Sequence, residues 1–173
     1  MKVNIIIGRF QPLTNGHLKC IKEVWDSGGV PTIIAMIEIN SSDHRHPFLS
    51  KQLVPLYKRM FKNNAMIADV VTVKNADIVK LGEMLDRMGY EICSWVCGDD
   101  RYDKYKYMAD RYHDQAHLTD DFKMIKIMRN DVSATLARQY LYEDNLLSFK
   151  EITPFSTYMF HLFRKKLLEL DTQ

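Results

Sequence analysis

The chain has 173 residues, 46% of them hydrophobic, and its formal net charge is +2. Acidic and basic residues are interleaved along most of it, so the charge gives no reason to expect a nucleic acid or a membrane as partner. We expect a single compact domain, 1–173, since no linker rich in proline, glycine or serine divides the sequence. Three cysteines without a CxxC pair, no signal-peptide pattern and no apolar run of membrane-spanning length favour a cytoplasmic protein.

Strand and helix patterns alternate along the chain. Residues 3–7 are almost continuously apolar and rich in β-branched side chains, as expected for a strand covered on both faces. Further strands are expected at about 32–39, 65–73, 91–97 and 124–128. Helical patterns fall at about 16–27, 50–62 and 76–88, with Ser50 as the N-cap of the second.

This alternation requires right-handed crossovers and predicts an α/β fold, a doubly wound, parallel, five-stranded Rossmann-like sheet in the order 3-2-1-4-5. The sheet and its helices would occupy residues 1–143, and a C-terminal helical segment would follow at 144–173. In such a sheet the strand order reverses between strands 1 and 4, and ligands bind at the carboxyl ends of these strands. The loops 8–17 and 98–101 are therefore expected to face one another across a ligand crevice.

The loop 8–17 carries residues suited to binding an anion. Gly8 allows a sharp turn and a close ligand approach directly after the first strand. His17 falls in the first turn of the next helix, where free N–H groups and the dipole attract an anion and an imidazole can add a directed hydrogen bond. For a Gly-His pair on its own, a capping or surface histidine is the structural alternative.

The decapeptide GRFQPLTNGH at 8–17 resembles the signature of the cytidylyltransferase-like nucleotidyltransferases, and its opening is most similar to their nicotinamide mononucleotide (NMN) adenylyltransferase branch. The resemblance implies that His17 stabilises the transition state at the α-phosphorus and that Thr14 binds the attacking or transferred phosphate. The residues that it assigns to ATP in this loop are Gly8, Arg9, Phe10 and Gly16. Thr14 stands where the NMN branch usually has histidine, and in this respect the chain is similar to phosphopantetheine adenylyltransferases.

A second segment follows the last predicted strand and opens a helix that runs to about Tyr142. Its residues Ser133, Thr135 and Arg138, preceded by 130–132, resemble the ISSTxxR motif of the same superfamily. The resemblance implies that the two hydroxyls bind the β and γ phosphates and that Arg138, with Arg9, neutralises the departing pyrophosphate. An ordinary N-cap followed by a solvated arginine is the structural alternative.

Weaker resemblances complete the expected site. Gly98 and Asp99 are similar to the family's GxD segment beside the nucleotide, although Asp99 or Asp100 could instead cap a helix that begins near Arg101. The loop around 44–48 is similar to an NPF element beside the acceptor, but Leu53 replaces the arginine that commonly follows. The candidate acceptor-binding residues are Arg45, Phe48, Asp100 and Arg101, and Lys51 or Arg59 could compensate for the missing charge.

The resemblance implies transfer of AMP from ATP to NMN, which yields NAD and pyrophosphate. Magnesium would be held by the phosphates, with no metal ligand from the protein. His113 and His117 have the spacing of a metal pair, but no third ligand is apparent. Three alternatives stay open: a phosphopantetheine adenylyltransferase, a cytidylyltransferase with another phosphorylated acceptor, and a non-catalytic nucleotide sensor. The pattern of apolar residues is equally compatible with a monomer and with a homo-oligomer.

Overall fold

The computed structural model describes residues 1–128 and 133–172, in which strands and helices alternate. The strands are β1 (Lys2–Gly8), β2 (Thr32–Ile37), β3 (Ile67–Val73), β4 (Glu91–Cys97) and β5 (Leu118–Lys126). The helices are α1 (Asn15–Gly28), α2 (Ser50–Phe61), α3 (Ile78–Arg87), α4 (Asp99–Arg111), α5 (Ala134–Tyr142), α6 (Leu146–Ile152) and α7 (Thr157–Glu169), and a short 3-10 helix at Leu170–Thr172 follows α7.

The strands form one parallel sheet in the order β3-β2-β1-β4-β5, which confirms the predicted fold class. β1 is the central strand, and its Ile5 pairs with Ile33 of β2 and Trp95 of β4. The strand order reverses between β1 and β4, so the carboxyl ends of these strands, beside Gly8 and Gly98, are the place where such a sheet binds a ligand.

Apolar side chains cover both faces of the sheet. One face of β1 presents Ile6 to a cluster that includes residues of α2, α5, α6 and α7. The other face presents Val3, Ile5 and Ile7 to a cluster with α3 and α4, in which Trp95 stacks on Tyr105 with the ring centroids 4.3 Å apart. Burial on both faces is why β1 reads as a continuous apolar run, the pattern from which it was predicted.

The main differences between prediction and structure are local. β5 begins at Leu118, six residues before the predicted start near 124, because this outermost strand carries the exposed carboxylates of Asp120 and Asp121 near its start. Leu49 is the N-cap of α2, and the Ser50 hydroxyl instead accepts a hydrogen bond from the N–H of Ile39 at 2.6 Å. α6 is a separate short helix that the sequence analysis did not identify.

The C-terminal helices α6 and α7 add aromatic side chains to the first of these clusters. The ring of Phe149 contacts the rings of Phe155 and Phe160, and Phe155 also stacks on Tyr57 of α2 with the centroids 5.9 Å apart. Phe163 lies 4.7 Å from the ring of Phe48, which precedes α2. Across 1–128 and 133–172, every helix is too short or too polar to cross a bilayer.

Candidate nucleotide-binding site

The loop after β1 turns sharply at Phe10, whose φ of 50° lies in the left-handed region. The Phe10 ring folds back over Gly8, where an added Cβ would lie 3.1 Å from a ring carbon, so only glycine fits without displacing the ring. The same ring meets the His17 imidazole edge-on, with the centroids 4.9 Å apart. Phe10 is 4% exposed, so its ring is packed inside the loop between Gly8 and His17.

A buried tyrosine of α2 holds the two ends of this turn together. The Tyr57 hydroxyl accepts a hydrogen bond from the N–H of Leu13 and donates one to the carbonyl of Phe10, both at 3.0 Å. Burial raises the pKa of Tyr57, which keeps the hydroxyl protonated and able to donate. Tyr57 was not predicted as a site residue, because its only signal in the sequence is helical spacing with the buried Leu53 and Phe61.

Gln11 joins this loop to the β2–α2 loop, residues 38–49. Its side-chain Nε2 donates to the carbonyl of Phe48 at 2.8 Å, and the N–H of Phe48 donates to its Oε1 at 3.0 Å. Both residues are nearly inaccessible to solvent, Gln11 with 2% of its surface exposed and Phe48 with 1%. These paired bonds satisfy a buried backbone N–H and carbonyl that would otherwise destabilise the fold. Gln11 also was not singled out from the sequence.

His17 is oriented by Thr14, the N-cap of α1. The N–H of Thr14 donates to Nδ1 of His17 at 3.0 Å, and Oγ1 of Thr14 lies 3.1 Å from the same nitrogen. Because Nδ1 accepts a hydrogen bond, the neutral imidazole carries its proton on Nε2. The ring is therefore set to donate from Nε2, and it lies in the first turn of a helix, where an anion is favoured.

Arg138 of α5 reaches the same loop. Its Nη1 donates to the carbonyl of Gln11 at 2.6 Å, across a separation of 127 residues, and its Nη2 donates to Oγ1 of Thr135 at 3.3 Å. Burial is the main cause that lowers the pKa of Arg138 below its ordinary value, and the nearby charge of Arg45 lowers it further. A guanidinium stays protonated at neutral pH, so this contact places a positive charge beside the loop 8–17.

Ser133 and Thr135 stand at the start of α5, and both are exposed. The Ser133 hydroxyl caps the helix by accepting a hydrogen bond from the N–H of Leu136 at 3.1 Å. Ser133 is therefore an N-cap, as the alternative interpretation of this motif predicted. Arg138, in contrast, is hydrogen-bonded to the loop 8–17 and is not a solvated side chain. Residues 130–132, which begin the predicted motif, lie outside the described residues.

The segment 98–101 lies at the carboxyl end of β4, next to the end of β1. Gly98 is the buried N-cap of α4, and Asp99 and Asp100 lie inside its first turn with exposed side chains. The helix therefore begins before Arg101, and neither carboxylate acts as its N-cap. Asp99 lies 3.9 Å from the ammonium of Lys126, and Asp100 lies 3.8 Å from the guanidinium of Arg101.

The β2–α2 loop 38–49 contains the other predicted acceptor residues. Arg45 is exposed, and its backbone is ordered by the Asp43 carboxylate, which accepts hydrogen bonds from the N–H groups of Arg45 and His46 at 2.8 and 2.7 Å. The ring of Phe48 is buried against Phe163. Contact between these residues and an acceptor stays a prediction, as do the assigned roles of Thr14, Arg9 and Gly16.

The donor set of this site suits a polyanion rather than a bare metal ion. Over the described parts of the chain, no three histidine, cysteine or acidic side chains come together as ligands for a metal. His113 directs Nε2 to the backbone carbonyl of Thr119, at 3.1 Å. The loop 8–17 and α5 together offer the imidazole N–H of His17, the guanidinium of Arg138 and the N-termini of two helices, all of which bind anions.

A doubly wound sheet with such a loop at its switch point defines a nucleotide-binding α/β protein. The sequence pattern of the cytidylyltransferase-like family matches residues 5–140, and the chain belongs to this family of nucleotidyltransferases. The family assignment made from the decapeptide is therefore confirmed. A comparison with curated protein sequences gives no match.

Solved structures with the same fold include a bifunctional NMN adenylyltransferase/ADP-ribose pyrophosphatase from Francisella tularensis, which is 18% identical with a TM-score of 0.66. The alignment covers 98% of this chain and 52% of that one, so the chain spans about half of the Francisella protein. A second structure of that protein, in complex with AMP and a manganese ion, has a TM-score of 0.63. The nicotinic acid mononucleotide adenylyltransferase of Plasmodium falciparum complexed with APC is 12% identical, with 98% and 96% of the two chains covered and a TM-score of 0.54.

Proposed function

We propose that the protein transfers the adenylyl group of ATP to nicotinamide mononucleotide, forming NAD and releasing pyrophosphate. The observation that carries this proposal is the 2.6 Å hydrogen bond from Arg138 to the Gln11 carbonyl. It brings together two segments, 8–17 and 133–138, that resemble the two nucleotide motifs of the family. The GRFQP opening is the feature that favours the NMN branch, and the proteins named above from Francisella and Plasmodium are consistent with it.

The reaction needs no nucleophile from the protein. A phosphate oxygen of the acceptor attacks the α-phosphorus of ATP, and the bond from that phosphorus to the bridging oxygen of pyrophosphate breaks. Negative charge grows on the α-phosphoryl oxygens and on the leaving group, so donors and cations fixed before the reaction lower the barrier. Magnesium would enter with ATP as part of the substrate, held by the phosphates, and would add positive charge where negative charge grows.

Each assigned residue has a defined task in this scheme. His17 donates from Nε2 to an α-phosphoryl oxygen, because Nδ1 is engaged by the Thr14 N–H. Arg138 and Arg9 neutralise the departing pyrophosphate, and Ser133 and Thr135 hold the β and γ phosphates. Thr14 is fully buried, and its N–H and hydroxyl both lie against Nδ1 of His17, so it would act on the phosphate through the orientation of His17.

A second candidate is an enzyme with a different nucleotide or acceptor. Thr14 favours it, since this position has threonine in the phosphopantetheine branch and histidine in the NMN branch. A cytidylyltransferase acting on another phosphorylated acceptor fits the same fold. A nucleotide sensor without turnover is the remaining alternative, and the presence of His17, Ser133, Thr135 and Arg138 argues against it.

Release of pyrophosphate in a matrix of substrates tests the proposal. The purified chain is incubated with magnesium and either ATP or CTP, with NMN, nicotinic acid mononucleotide or phosphopantetheine as acceptor. We expect release only with ATP and a pyridine mononucleotide, with equal amounts of the dinucleotide product. Release with phosphopantetheine or CTP would favour the second candidate, and ATP binding by calorimetry without turnover on any acceptor would favour the sensor.

A further inference from the structure

We propose that Gln11 is a positioning residue that couples the nucleotide loop 8–17 to the β2–α2 loop 38–49. The inference rests on the proposed function, in which these loops bind ATP and the acceptor. It adds that binding of ATP to the first loop orders the second and thereby prepares the acceptor site. Gln11 itself would touch neither substrate, since it is 2% exposed.

The polar atoms of Gln11 connect three parts of the chain at one point. Its side-chain amide pairs with both backbone polar groups of Phe48, at 2.8 and 3.0 Å. Its own carbonyl accepts the hydrogen bond from Arg138, the side chain proposed to meet the pyrophosphate. A phosphate that orders the Arg138 guanidinium therefore also restricts the backbone of Gln11. Because the Gln11 side chain is hydrogen-bonded to the backbone of Phe48, the motion of Phe48 is restricted as well.

Both ends of this connection are held firmly, so motion at one end reaches the other. On the nucleotide side, the Tyr57 hydroxyl ties Phe10 to Leu13, the residues on either side of Gln11 and Pro12. On the acceptor side, the Phe48 ring is packed against Phe163, and the Ser50 hydroxyl binds the N-H of Ile39 at the other end of the loop. Ordering of one segment reduces the cost of ordering the next, which is the physical basis of coupling between two ligands.

The test measures amide hydrogen exchange with a non-hydrolysable ATP analogue as the only ligand, so it does not depend on the acceptor's identity. In the parent protein, we expect the analogue to slow exchange in 8–17 and, by about 5- to 10-fold, in 38–49, which is within the usual range of coupling between sites. In Gln11→Met, which has a similar length and no amide, protection of 8–17 should persist and protection of 38–49 should fall below about twofold. Gln11→Glu keeps the acceptor for the Phe48 N–H but loses the donor, and it should give an intermediate result.

Two controls separate positioning from loss of stability. Gln52→Met makes the same substitution at an exposed site on α2 and should behave as the parent. Ser94→Ala removes a buried hydrogen bond to Asn4 in the sheet, which should lower the unfolding temperature while leaving the protection of 38–49 by the analogue intact.

With NMN as acceptor, Gln11→Met should raise KM for the acceptor about 5- to 10-fold and change the analogue's Kd less than threefold.

The outcomes distinguish this inference from the proposed function. Protection of 8–17 without protection of 38–49 in the parent, or equal protection of 38–49 in the parent and in Gln11→Met, would overturn the coupling and leave the proposed function standing. If Gln11→Met fails to fold, Gln11→Glu decides the same question, because protection of 38–49 equal to that of the parent would then overturn the coupling. An analogue that protects neither loop would overturn the proposed ATP site and the coupling with it.

Discussion

The imidazole of His17 has a fixed direction because a peptide group three residues earlier holds one of its nitrogens. The hydrogen bond from the Thr14 N–H to Nδ1 removes the uncertainty about which nitrogen carries the proton. It also satisfies an N–H group at the start of α1 that would otherwise need water. One interaction thus caps the helix and sets the ring to donate from its far nitrogen.

Replacement of His17 by alanine should therefore lower turnover by about 100- to 1000-fold, the usual cost of one strong donor to a developing charge. The Kd of a non-hydrolysable ATP analogue should change less than about fivefold, because the donor acts mainly in the transition state. Pyrophosphate release and calorimetry measure the two quantities. His161→Ala, at an exposed position of α7, is the matched control. Equal kcat in the His17 variant and the parent would remove this ring from the mechanism.

Arg138 combines a proposed ligand contact with a contact to the nucleotide loop. Arg138→Ala should weaken binding of the ATP analogue by at least about tenfold, the effect of losing a charge-assisted hydrogen bond. Arg138→Lys keeps the charge but has no planar fork to bind Gln11 and Thr135 together, so its Kd should lie between those of the parent and the alanine variant.

The control for this pair of variants is Arg164→Ala. Arg164 of α7 also donates to a backbone carbonyl, that of Leu141 at 3.0 Å, but it serves no assigned role at the nucleotide. We expect its loss to lower stability without changing the Kd of the analogue. An unchanged Kd in Arg138→Ala would contradict the placement of the pyrophosphate beside α5.

At the residue scale, the sequence indicates side chains that lie in motifs and misses those whose role depends on distant backbone. His17 and Arg138 were identified because their local spacing matches a known pattern. Tyr57 and Gln11 were missed because their partners, Leu13 and Phe48, lie 44 and 37 residues away. A hydrogen bond from a side chain to remote main chain leaves no periodicity in the sequence.

At the scale of elements, the predicted boundaries were most accurate where both faces of a strand are covered. The predicted bounds of β4 match the observed Glu91–Cys97, because a buried parallel strand reads as a continuous apolar run. β5 was predicted too short because one side of it meets solvent. α6 was missed because seven residues are too few for helical periodicity to be distinguished from a turn.

Close packing of α3 gives a prediction at this scale. An added Cβ at Gly82 would lie 2.0 Å from the carbonyl oxygen of Ala116, in the turn before β5, and backbone cannot move aside as a side chain can. Gly82→Ala should therefore lower the free energy of unfolding by about 2–3 kcal/mol, as measured in urea. Gly28→Ala is the matched control, since a Cβ there meets nothing within 4 Å, and it should change stability by less than about 1 kcal/mol. Similar values for both variants would refute the close contact.

For the whole molecule, alternation of strands and helices predicts a doubly wound parallel sheet, because crossovers between parallel strands are almost always right-handed, and the predicted order 3-2-1-4-5 is the one observed. Alternation does not indicate what covers the sheet after the fifth strand. The aromatic cluster of α6 and α7 on Tyr57 and Phe48 depends on the positions of rings from four segments of the chain. Helical spacing in α7 alone predicts a buried face, but not its partner.

This cluster predicts that the C-terminal helices stabilise the fold as a whole. Phe160 is fully buried and contacts the ring of Phe149 at 5.2 Å, so Phe160→Ala should lower the free energy of unfolding by about 3–5 kcal/mol. Tyr158, two residues earlier in α7, is 74% exposed, and Tyr158→Ala should cost less than about 0.5 kcal/mol. Urea unfolding measures both. Equal losses would mean that α7 does not pack as described.

The exposed charges that made the start of β5 hard to predict also protect this edge of the sheet from pairing with another chain. Open strands can recruit a strand from another copy and grow into aggregates, and natural proteins oppose this with charge. Asp120, Asp121 and Lys123 place solvated charges along this outermost strand. An incoming chain would have to strip water from these groups before any ladder of hydrogen bonds could form.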